Sequence, residues 1–449
     1  MNKNRTLYRW YALFMLTVVY ILNFVDRQIL VVLQEPIKAD MNLSDTQLGL
    51  LTGFLFAIFY VTLGIPIARL ADRGNRRNVI VWSIGLWSAM TALSGLVTSY
   101  WQLVLARIGV GVGEAGGSPP AHSMITDYFP PGLRSVALSI FSSGIYLGIM
   151  IGFLAGGYLS QNYGWRVAFF AAGAPGLLVA LLVRLTVKEP PRGQYDSQKD
   201  SGSIPGILEA TRIFWKLKTF RYLSLGCALL SFSNYGVNNW MPSFIIRSYE
   251  LSISETGVLF ALLIGGCGCF GAVMGGIISD RLGARDQRWY MWLPGLMGLS
   301  AVPFLIGCFM SDDLTTSMLL FIWPSIATAV FLGPGIATCH ALVEPRLRAL
   351  ISAVVFFIVN LVGLGLGPVF TGLLSDLLSP IHGPVEGLRY ALSSTALVGS
   401  TAVVFFLLAA RTIRSEMRNA TLNSTTEQSQ APEQPGTDTG DAQVLIKQG

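Results

Sequence analysis

The chain has 449 residues, of which 52% are hydrophobic and only 12% are charged, and its mean hydropathy is +0.55. A soluble domain typically carries about 25% charged residues, so this composition excludes an ordinary soluble domain. The net charge of +6 therefore indicates contact with a lipid bilayer and its anionic headgroups, and not with nucleic acid.

Runs of roughly 20 apolar residues, the length of a helix that crosses a bilayer, recur along the whole chain. We predict an all-α integral membrane protein with twelve transmembrane helices, at residues 11–32, 46–70, 78–99, 101–121, 135–159, 166–187, 222–246, 256–279, 289–310, 314–343, 349–374 and 390–411. One long polar connector separates two groups of six. The predicted units are a first half at 1–187, the connector at 188–221, a second half at 222–414 and a disordered tail at 415–449.

The cationic residues predict the orientation of these helices. Most of the 31 Lys and Arg residues fall near the two termini, in the connector and in alternate loops, and cytoplasmic loops retain such an excess. Both termini are therefore expected in the cytoplasm. The sequence shows no P-loop, no nucleophile with a base and no metal-ligand spacing, so we predict neither an enzyme nor a metal or cofactor site.

The chain contains an internal repeat. The stretch "LSDTQLGLLTG" from Leu43 aligns without gaps with "LSISETGVLFA" from Leu251, and the register continues from "ADR" to "SDR". The same offset places Asp26 over Asn234. Two six-helix halves in parallel orientation are expected from this repeat, with a substrate site between them near the middle of the membrane.

Two loops carry a resemblance to a known family. "ARLADRGNRR" at 68–77 and "GIISDRLGAR" at 276–285 resemble the signature loop of the major facilitator superfamily, although Ala68 stands where the family usually has Gly. The resemblance implies a pseudo-symmetric major facilitator fold, with a cytoplasmic gate formed by charged loop residues. The expected gate residues are Asp72, Arg73, Arg76, Arg77, Asp280, Arg281 and Arg285.

Further stretches look like the bacterial branch of the Spinster family, among them "LNFVDRQIL", "ARIGVGVGEAGGSPPA" and "DYFPPGLRSVALSI". This resemblance implies a secondary transporter that moves a lysolipid or sphingoid-like substrate, located in a bacterial inner membrane. We expect a monomer. The second half resembles the superfamily only in general, so the motifs that carry the resemblance lie in the first half.

Charged residues inside the predicted first half are candidates for function, because ionisable groups are costly in a membrane. Asp26 and Glu114 are the carboxylates predicted to bind the coupling proton. Arg107 is expected at about the same depth as Asp26, which makes these two residues a candidate ion pair. A static network of ion pairs that only holds two helices together is the alternative interpretation.

Polar residues on the predicted first, seventh and eleventh helices complete the candidate site. On the first helix, the polar side chains fall in one sector, and the seventh helix carries neutral amides and a tyrosine on one face. The predicted substrate-binding residues are Arg27, Arg107, Tyr20, Asn23, Asn234, Tyr235, Asn238 and Asn360. The function predicted from these residues is proton-coupled transport of an amphiphile by alternating access. Proton symport of a small organic acid anion is the alternative.

Overall fold

The structure, a computed structural model, describes residues 3–195, 206–344 and 347–430. Within these ranges the regular elements are helices, and they form two groups of six that correspond to the two halves predicted from the repeat. The fold is the twelve-helix major facilitator arrangement expected from the sequence.

The six spans of the first half follow one another with short connections. Two of them are interrupted: the second contains a π-helical turn at Leu50–Phe54, and the fourth is divided into two pieces. The spans are Lys3–Val32, Asp45–Arg73, Arg76–Ser94, Tyr100–Glu114 with Ser118–Tyr128, Pro131–Tyr163 and Trp165–Thr186. A short helix, Gln34–Met41, links the first span to the second.

The second half repeats this plan. Its second and fifth spans contain π-helical turns at Ala261–Cys267 and Asn360–Leu366, and its fourth span is again divided. The spans are Lys218–Tyr249, Ile253–Gly283, Trp289–Met310, Leu314–Ala327 with Leu332–Ala341, Arg348–Val359 continuing to Gly367–His382, and Pro384–Ser400 with Ala402–Gln430.

The sequence repeat has a structural counterpart at the start of the second and eighth spans. The Ser44 side chain accepts a hydrogen bond from the backbone N–H of Gln47, and the Gln47 side chain accepts one from the backbone N–H of Ser44. Ser252 and Glu255 form the same capping box. Each box satisfies two backbone donors that a helix end leaves unpaired. The two halves therefore begin their second spans in the same way.

Nine helices among the described residues are long and apolar enough to cross a membrane. The other three predicted spans, the third, fourth and seventh, are helical as well but do not pass the same criterion of length and composition. The fourth is broken between Glu114 and Ser118. These three spans belong to the bundle because they pack against the other helices of their own halves.

Two predicted boundaries differ from the structure. The connector contains a helix, Ile207–Lys216, whose Phe214 is buried against Phe220 of the seventh span. The last helix continues to Gln430, so the predicted disordered tail does not begin at residue 415. Glu416, near the start of this extension, accepts hydrogen bonds from the backbone of Lys218 and Thr219, a tertiary contact that composition does not reveal. Residues 431–449 of the predicted tail lie outside the described residues.

The two ends of the bundle differ in how the halves meet. We call the end with the loops at 72–77 and 280–288 the basic end, and the end with helix Gln34–Met41 the opposite end. Packing between the halves is concentrated in the middle and at the opposite end, where the fifth span contacts the eighth and the second contacts the eleventh. A Cβ atom added at Gly49 would lie 2.5 Å from the carbonyl oxygen of Pro368, so only glycine allows this approach.

Candidate functional site

An ion pair lies deep inside the first half. Arg27 Nε, from the first span, donates to Glu114 Oε2, from the fourth span, at 2.6 Å. The Glu114 side chain is completely buried and that of Arg27 is 14% exposed. Glu114 is the last residue before the break in the fourth span, so the pair joins the first span to the point where the fourth changes direction.

Aromatic rings surround the Arg27 guanidinium. Its Cζ lies 5.2 Å from the ring centre of Phe24, 4.9 Å from that of Phe56 and 4.8 Å from that of Tyr60. Cations over aromatic faces are attracted by the ring quadrupole, by about 2 kcal/mol or more where water is excluded. Phe56 and Tyr60 stand four residues apart on the second span, on one helix face. One carboxylate and three rings therefore hold this cation.

Tyrosines from both halves reach the same cation. Arg27 interacts electrostatically with three tyrosines: Tyr20, Tyr60 and Tyr235. The first two belong to the first half, and Tyr235 comes from the seventh span. Tyr20 also stacks on Phe141 with 4.3 Å between ring centres. The side-chain amide of Asn23 lies near the Glu114 carboxylate and interacts with it as a polar neighbour. The structure thus brings together Tyr20, Asn23, Arg27 and Tyr235 as expected from the sequence.

Asp26 is in a different position from Arg27 although the two are neighbours in the sequence. The Asp26 side chain is 1% exposed, and neither carboxylate oxygen has a hydrogen-bond partner among the described residues. Arg107 is 2% exposed, its Nε is likewise unpaired, and its Cζ lies 5.5 Å from the ring centre of Phe56. Asp26 is affected by the charges of Glu114 and Arg107 without touching either.

The predicted ion pair between Asp26 and Arg107 is therefore wrong. Successive residues of a helix point about 100° apart, so Asp26 and Arg27 present their side chains in different directions, and only one of them points straight at Glu114. Arg27 takes that direction and pairs with Glu114. Depth in the membrane alone, the basis of the prediction, did not determine which residue faces the partner helix.

The predicted amides of the second half bond within that half. Asn234 Nδ2 donates to Thr328 Oγ1 at 2.8 Å, and Asn238 Nδ2 donates to Asn234 Oδ1 at 3.2 Å. Both asparagines are half-buried. Asn360 donates instead to the Phe356 carbonyl of its own helix at 2.8 Å. No described hydrogen bond connects Asn360 with the other two amides.

Ion pairs that the sequence did not predict close the opposite end. Asp45, in the first half, accepts hydrogen bonds from Arg247 Nη1 and Nη2 at 2.8 and 2.7 Å, and from Ser375 Oγ at 2.6 Å, all in the second half. Lys38 donates to Asp45 at 2.5 Å, and Arg247 also binds Glu35 at 2.8 Å. The Asp45 and Arg247 side chains are only 2% and 8% exposed.

A second carboxylate adds to this closure. Asp376 of the eleventh span accepts from the backbone N–H groups of Asp45 and Thr46 at 3.0 and 2.7 Å, and from Thr46 Oγ1 at 2.6 Å. These N–H groups begin the second span, where helices leave donors unpaired and favour negative charge. The residues that join the halves here form the opposite-end network: Glu35, Lys38, Asp45, Arg247, Ser375 and Asp376.

At the basic end, most predicted gate residues are unpaired. The side chains of Asp72, Arg73, Asp280, Arg281 and Arg285 are exposed, and none has an ion-pair partner among the described residues. In the residues described, the halves are thus tied by ion pairs at the opposite end and not through these loops.

Arg76 and Arg77 bind within the first half. Arg76 is buried, with Asp127 Oδ2 at 2.5 Å and Glu189 Oε1 at 2.6 Å, while the backbone N–H of Arg77 donates to Glu189 Oε2 at 2.9 Å. Arg192 donates to carbonyl oxygens of Ala71, Asp72 and Gly74 at the end of the second span. The described contacts of Arg76 and Arg77 thus lie within the first half, and their assignment to a cytoplasmic gate stays a prediction.

Comparison with known proteins decides the family. The sequence profile of the Major Facilitator Superfamily matches residues 16–358. The chain belongs to this superfamily. It is 35% identical over 421 residues to an "MFS-type efflux pump" of Mycolicibacterium smegmatis, covering 92% of this chain and 95% of that relative. The chain is therefore a multi-pass membrane transporter and not an enzyme.

Two Spinster-type proteins are also similar. The chain is 26% identical over 428 residues to the "Sphingosine-1-phosphate transporter SPNS2" of Danio rerio, covering 87% of this chain and 82% of that relative. It superposes with a TM-score of 0.82 and 35% identity on a bacterial homologue of the human lysosomal transporter Spinster in an inward-facing and occupied conformation, covering 91% of this chain and 98% of that one. The resemblance to the Spinster family is confirmed.

Several functional candidates were missed from the sequence. Tyr60 and Phe56 lie in an apolar run, and only their four-residue spacing on the second span hints at a common face. Asp45 and Arg247 looked like loop charges. The sequence offers one indication of this network. Few cations lie on the side of the membrane opposite the positive loops, and Lys38 and Arg247 are two of them.

Proposed function

We propose that this superfamily member is a proton-coupled transporter of an amphiphile with an anionic headgroup, working by alternating access. The observation that carries the proposal is the buried cluster of Asp26, Arg27, Arg107 and Glu114, in which one carboxylate is paired and the other is not. Buried charges of this kind in membrane spans mark pathways for ions or substrates.

The Arg27 and Glu114 pair couples a proton to a substrate anion. A proton that binds Glu114 neutralises the carboxylate and releases the Arg27 guanidinium from its ion pair. A phosphate or carboxylate headgroup then takes the place of Glu114 on Arg27, and Arg107 supplies a second cation nearby. Asp26 offers a second carboxylate that a proton can neutralise. Loss of the proton restores the original pair and expels the headgroup.

The apolar surroundings of the cluster suit an alkyl tail. Phe24, Phe56 and the rings beside them present hydrocarbon close to the cations, and each buried methylene stabilises a bound chain by about 0.8 kcal/mol. The Danio rerio relative, whose printed name is that of a sphingosine-1-phosphate transporter, supports a lipid-like substrate with a phosphate.

We assign the basic end to the cytoplasm, in line with the distribution of positive charge. Both termini then lie in the cytoplasm, and the chain sits as a monomer in a bacterial inner membrane. The formed opposite-end network and the unpaired basic-end loops support an inward-open state under this assignment. Asp72, Arg73, Asp280, Arg281 and Arg285 would pair across the halves only in the outward-open state.

Reconstituted vesicles test the coupling. Lysophosphatidic acid or sphingosine-1-phosphate is offered to proteoliposomes with and without an imposed pH gradient. Wild-type protein is expected to accumulate the lipid only with the gradient, and Glu114→Gln and Asp26→Asn to lose that dependence. Asp312→Asn, a carboxylate that is 93% exposed, is the matched control. Uptake by the double variant that still follows the gradient would contradict the assignment, and uptake of small acids alone would favour the organic-acid alternative.

A further inference from the structure

The helix inside the connector, Ile207–Lys216, has two different faces. Ala210 and Phe214, four residues apart, are buried in an apolar cluster of the second half. Arg212 and Lys216, also four residues apart, are exposed. Residues four apart lie on the same side of a helix, so the apolar pair faces the bundle and the cationic pair faces away from it. The helix is thus packed against the protein on one face and open on the other.

This helix lies where the seventh span begins. Leu217, the one residue between it and helix Lys218–Tyr249, has an extended backbone with ψ of 115°, so the chain changes direction there. Trp215 lies 6.3 Å from Phe220, in the first turn of the span, measured between ring centres. The apolar run predicted to cross the membrane begins at residue 222, just beyond this contact. The connector helix is therefore held beside the boundary of the bilayer, at an angle to the span.

The exposed cations of this region are not neutralised by carboxylates. Arg212, Lys216 and Lys218 have no ion-pair partner among the residues that the structure describes. Glu209, one turn before Arg212 on the same helix, does not pair with it. With Arg221, four cations fall within ten residues immediately before the span. A cationic cluster of this kind beside a transmembrane helix attracts anionic lipid headgroups.

Apolar side chains flank the cationic pair. Ile213 is 43% exposed and Trp215 is 39% exposed. Successive residues of a helix point about 100° apart, which places Ile213 on one side of the cationic pair and Trp215 on the other. Tryptophan is enriched where a membrane meets water, because its ring contacts both hydrocarbon and headgroups. Exposed apolar groups beside unpaired cations match a ligand that joins a phosphate to acyl chains.

We propose that helix Ile207–Lys216 binds an anionic phospholipid of the adjoining leaflet, with Arg212 and Lys216 on the phosphate and Ile213 and Trp215 against the acyl chains. The Cβ atoms of residues four apart on a helix are about 5–6 Å from each other, so both long side chains can reach one phosphate. The cationic group of a zwitterionic phospholipid is repelled by the same pair, which favours anionic lipids. The bound lipid is a partner of the connector and not the transported substrate.

Lipid binding to the purified full-length protein tests the proposal. The protein is delipidated in detergent and titrated with dioleoylphosphatidylglycerol or dioleoylphosphatidylcholine, and bound lipids are counted by native mass spectrometry. The wild type is expected to bind the glycerol lipid more tightly. The double variant Arg212→Gln, Lys216→Gln should bind it about 25-fold more weakly, about fivefold for each cation. Glu209→Gln should bind it at least as tightly as the wild type, because a nearby negative charge is removed.

A matched control removes the same charge elsewhere in the second half. Arg411 and Arg418 are exposed positions of the last helix, and the double variant Arg411→Gln, Arg418→Gln should bind the glycerol lipid as the wild type does. Lysophosphatidic acid, of the proposed substrate class, should bind the variant of Arg212 and Lys216 normally. Loss of the connector site is in this way measured separately from the proposed transport site.

Three results would overturn the lipid site. The first is equal affinity of the wild type for the glycerol and choline lipids. The second is equal weakening in the two double variants, because net charge alone then explains the binding. The third is displacement of the bound glycerol lipid by millimolar inorganic phosphate, which would assign the cations to a soluble anion.

Discussion

At the scale of single residues, Asp26 and Glu114 are equally buried but have opposite surroundings. Glu114 is neutralised by Arg27 at 2.6 Å, whereas Asp26 has no ion-pair partner among the described residues, and its polar neighbour is the Thr91 hydroxyl. Removing one member of a buried ion pair leaves its partner uncompensated, while removing an unpaired charge leaves nothing behind. The two carboxylates should therefore respond differently to loss of charge.

We expect Glu114→Gln to lower the free energy of unfolding by about 3 kcal/mol, because Arg27 loses the anion with which it pairs. Asp26→Asn should leave the stability unchanged or raise it. Thermal unfolding of the detergent-purified variants at pH 8 measures both effects, with Asp312→Asn as the exposed control. An equal loss of stability in Asp26→Asn and Glu114→Gln would show that Asp26 has a partner after all.

The charged residues of the site could be predicted from the sequence, but their partners could not. Asp26, Arg27, Arg107 and Glu114 were recognisable because charges in apolar runs are conspicuous whatever their partners. The pairing was not recognisable, because it depends on how the first span is rotated against the fourth. Similarly, Asp45 and Arg247 are 202 residues apart, and no local pattern relates two such distant charges.

At the scale of helices, the opposite-end network joins the start of the second span to the end of the seventh. Arg247 makes the ion pairs that cross between the halves among the described residues, since it binds both Asp45 and Glu35. Arg389 lies at the same end but binds Asp312 and Glu386 within its own half. Arg247 therefore joins the two halves, whereas Arg389 does not.

We expect Arg247→Ala to shift the population toward a state that is open at the opposite end, because its ion pairs exist only when that end is closed. Spin labels at Tyr163 and Ile381, exposed positions in different halves, report the separation. A new population at longer distance should appear for Arg247→Ala. Arg247→Lys should show less of it, since lysine keeps the charge without the two-pronged geometry.

The control for this experiment is Arg389→Ala, which removes a similarly buried arginine without touching the contact between the halves. Its distance distribution should match that of the wild type. If both alanine variants broaden the distribution equally, the effect comes from local unfolding at this end and not from the opposite-end network.

The C-terminal helix makes a second contact between distant elements. Glu416 accepts from the backbone N–H groups of Lys218 and Thr219 at 2.8 and 3.0 Å, where the seventh span begins. Helix caps of this kind contribute about 1 kcal/mol. Glu416→Ala should lower the stability by that amount in thermal unfolding, and Glu416→Gln by less, because the amide oxygen can still accept. No change in either variant would mean that water caps the helix equally well.

At the scale of the whole molecule, the proposed alternating access would require the halves to rock about their contacts in the middle of the membrane. The twelve spans and the repeat followed from local hydropathy and from self-similarity, which are properties of the sequence itself. The state of the transporter did not, because it is a difference of a few ion pairs and close backbone contacts between the same two halves. Gly49 marks one of these contacts.

We expect Gly49→Ala to prevent full closure at the opposite end, because the added Cβ would lie 2.5 Å from the Pro368 carbonyl oxygen. Transport in proteoliposomes should fall at least about tenfold, the effect of roughly 1.4 kcal/mol on the closed state. Gly64→Ala is a matched control in the same span, since a Cβ there meets nothing within 4 Å. Normal transport by Gly49→Ala would mean that the eleventh span moves aside at little cost.

The contact of Glu416 with Lys218 and Thr219 also bears on how the protein is made. The two ends of this contact are 198 residues apart in the chain, so the seventh span leaves the ribosome long before its capping carboxylate is synthesised. Through the insertion of the next five spans, the first turn of the seventh helix must rely on water or on the translocation machinery for these hydrogen bonds. This contact of the second half can therefore form only after the last helix has been synthesised.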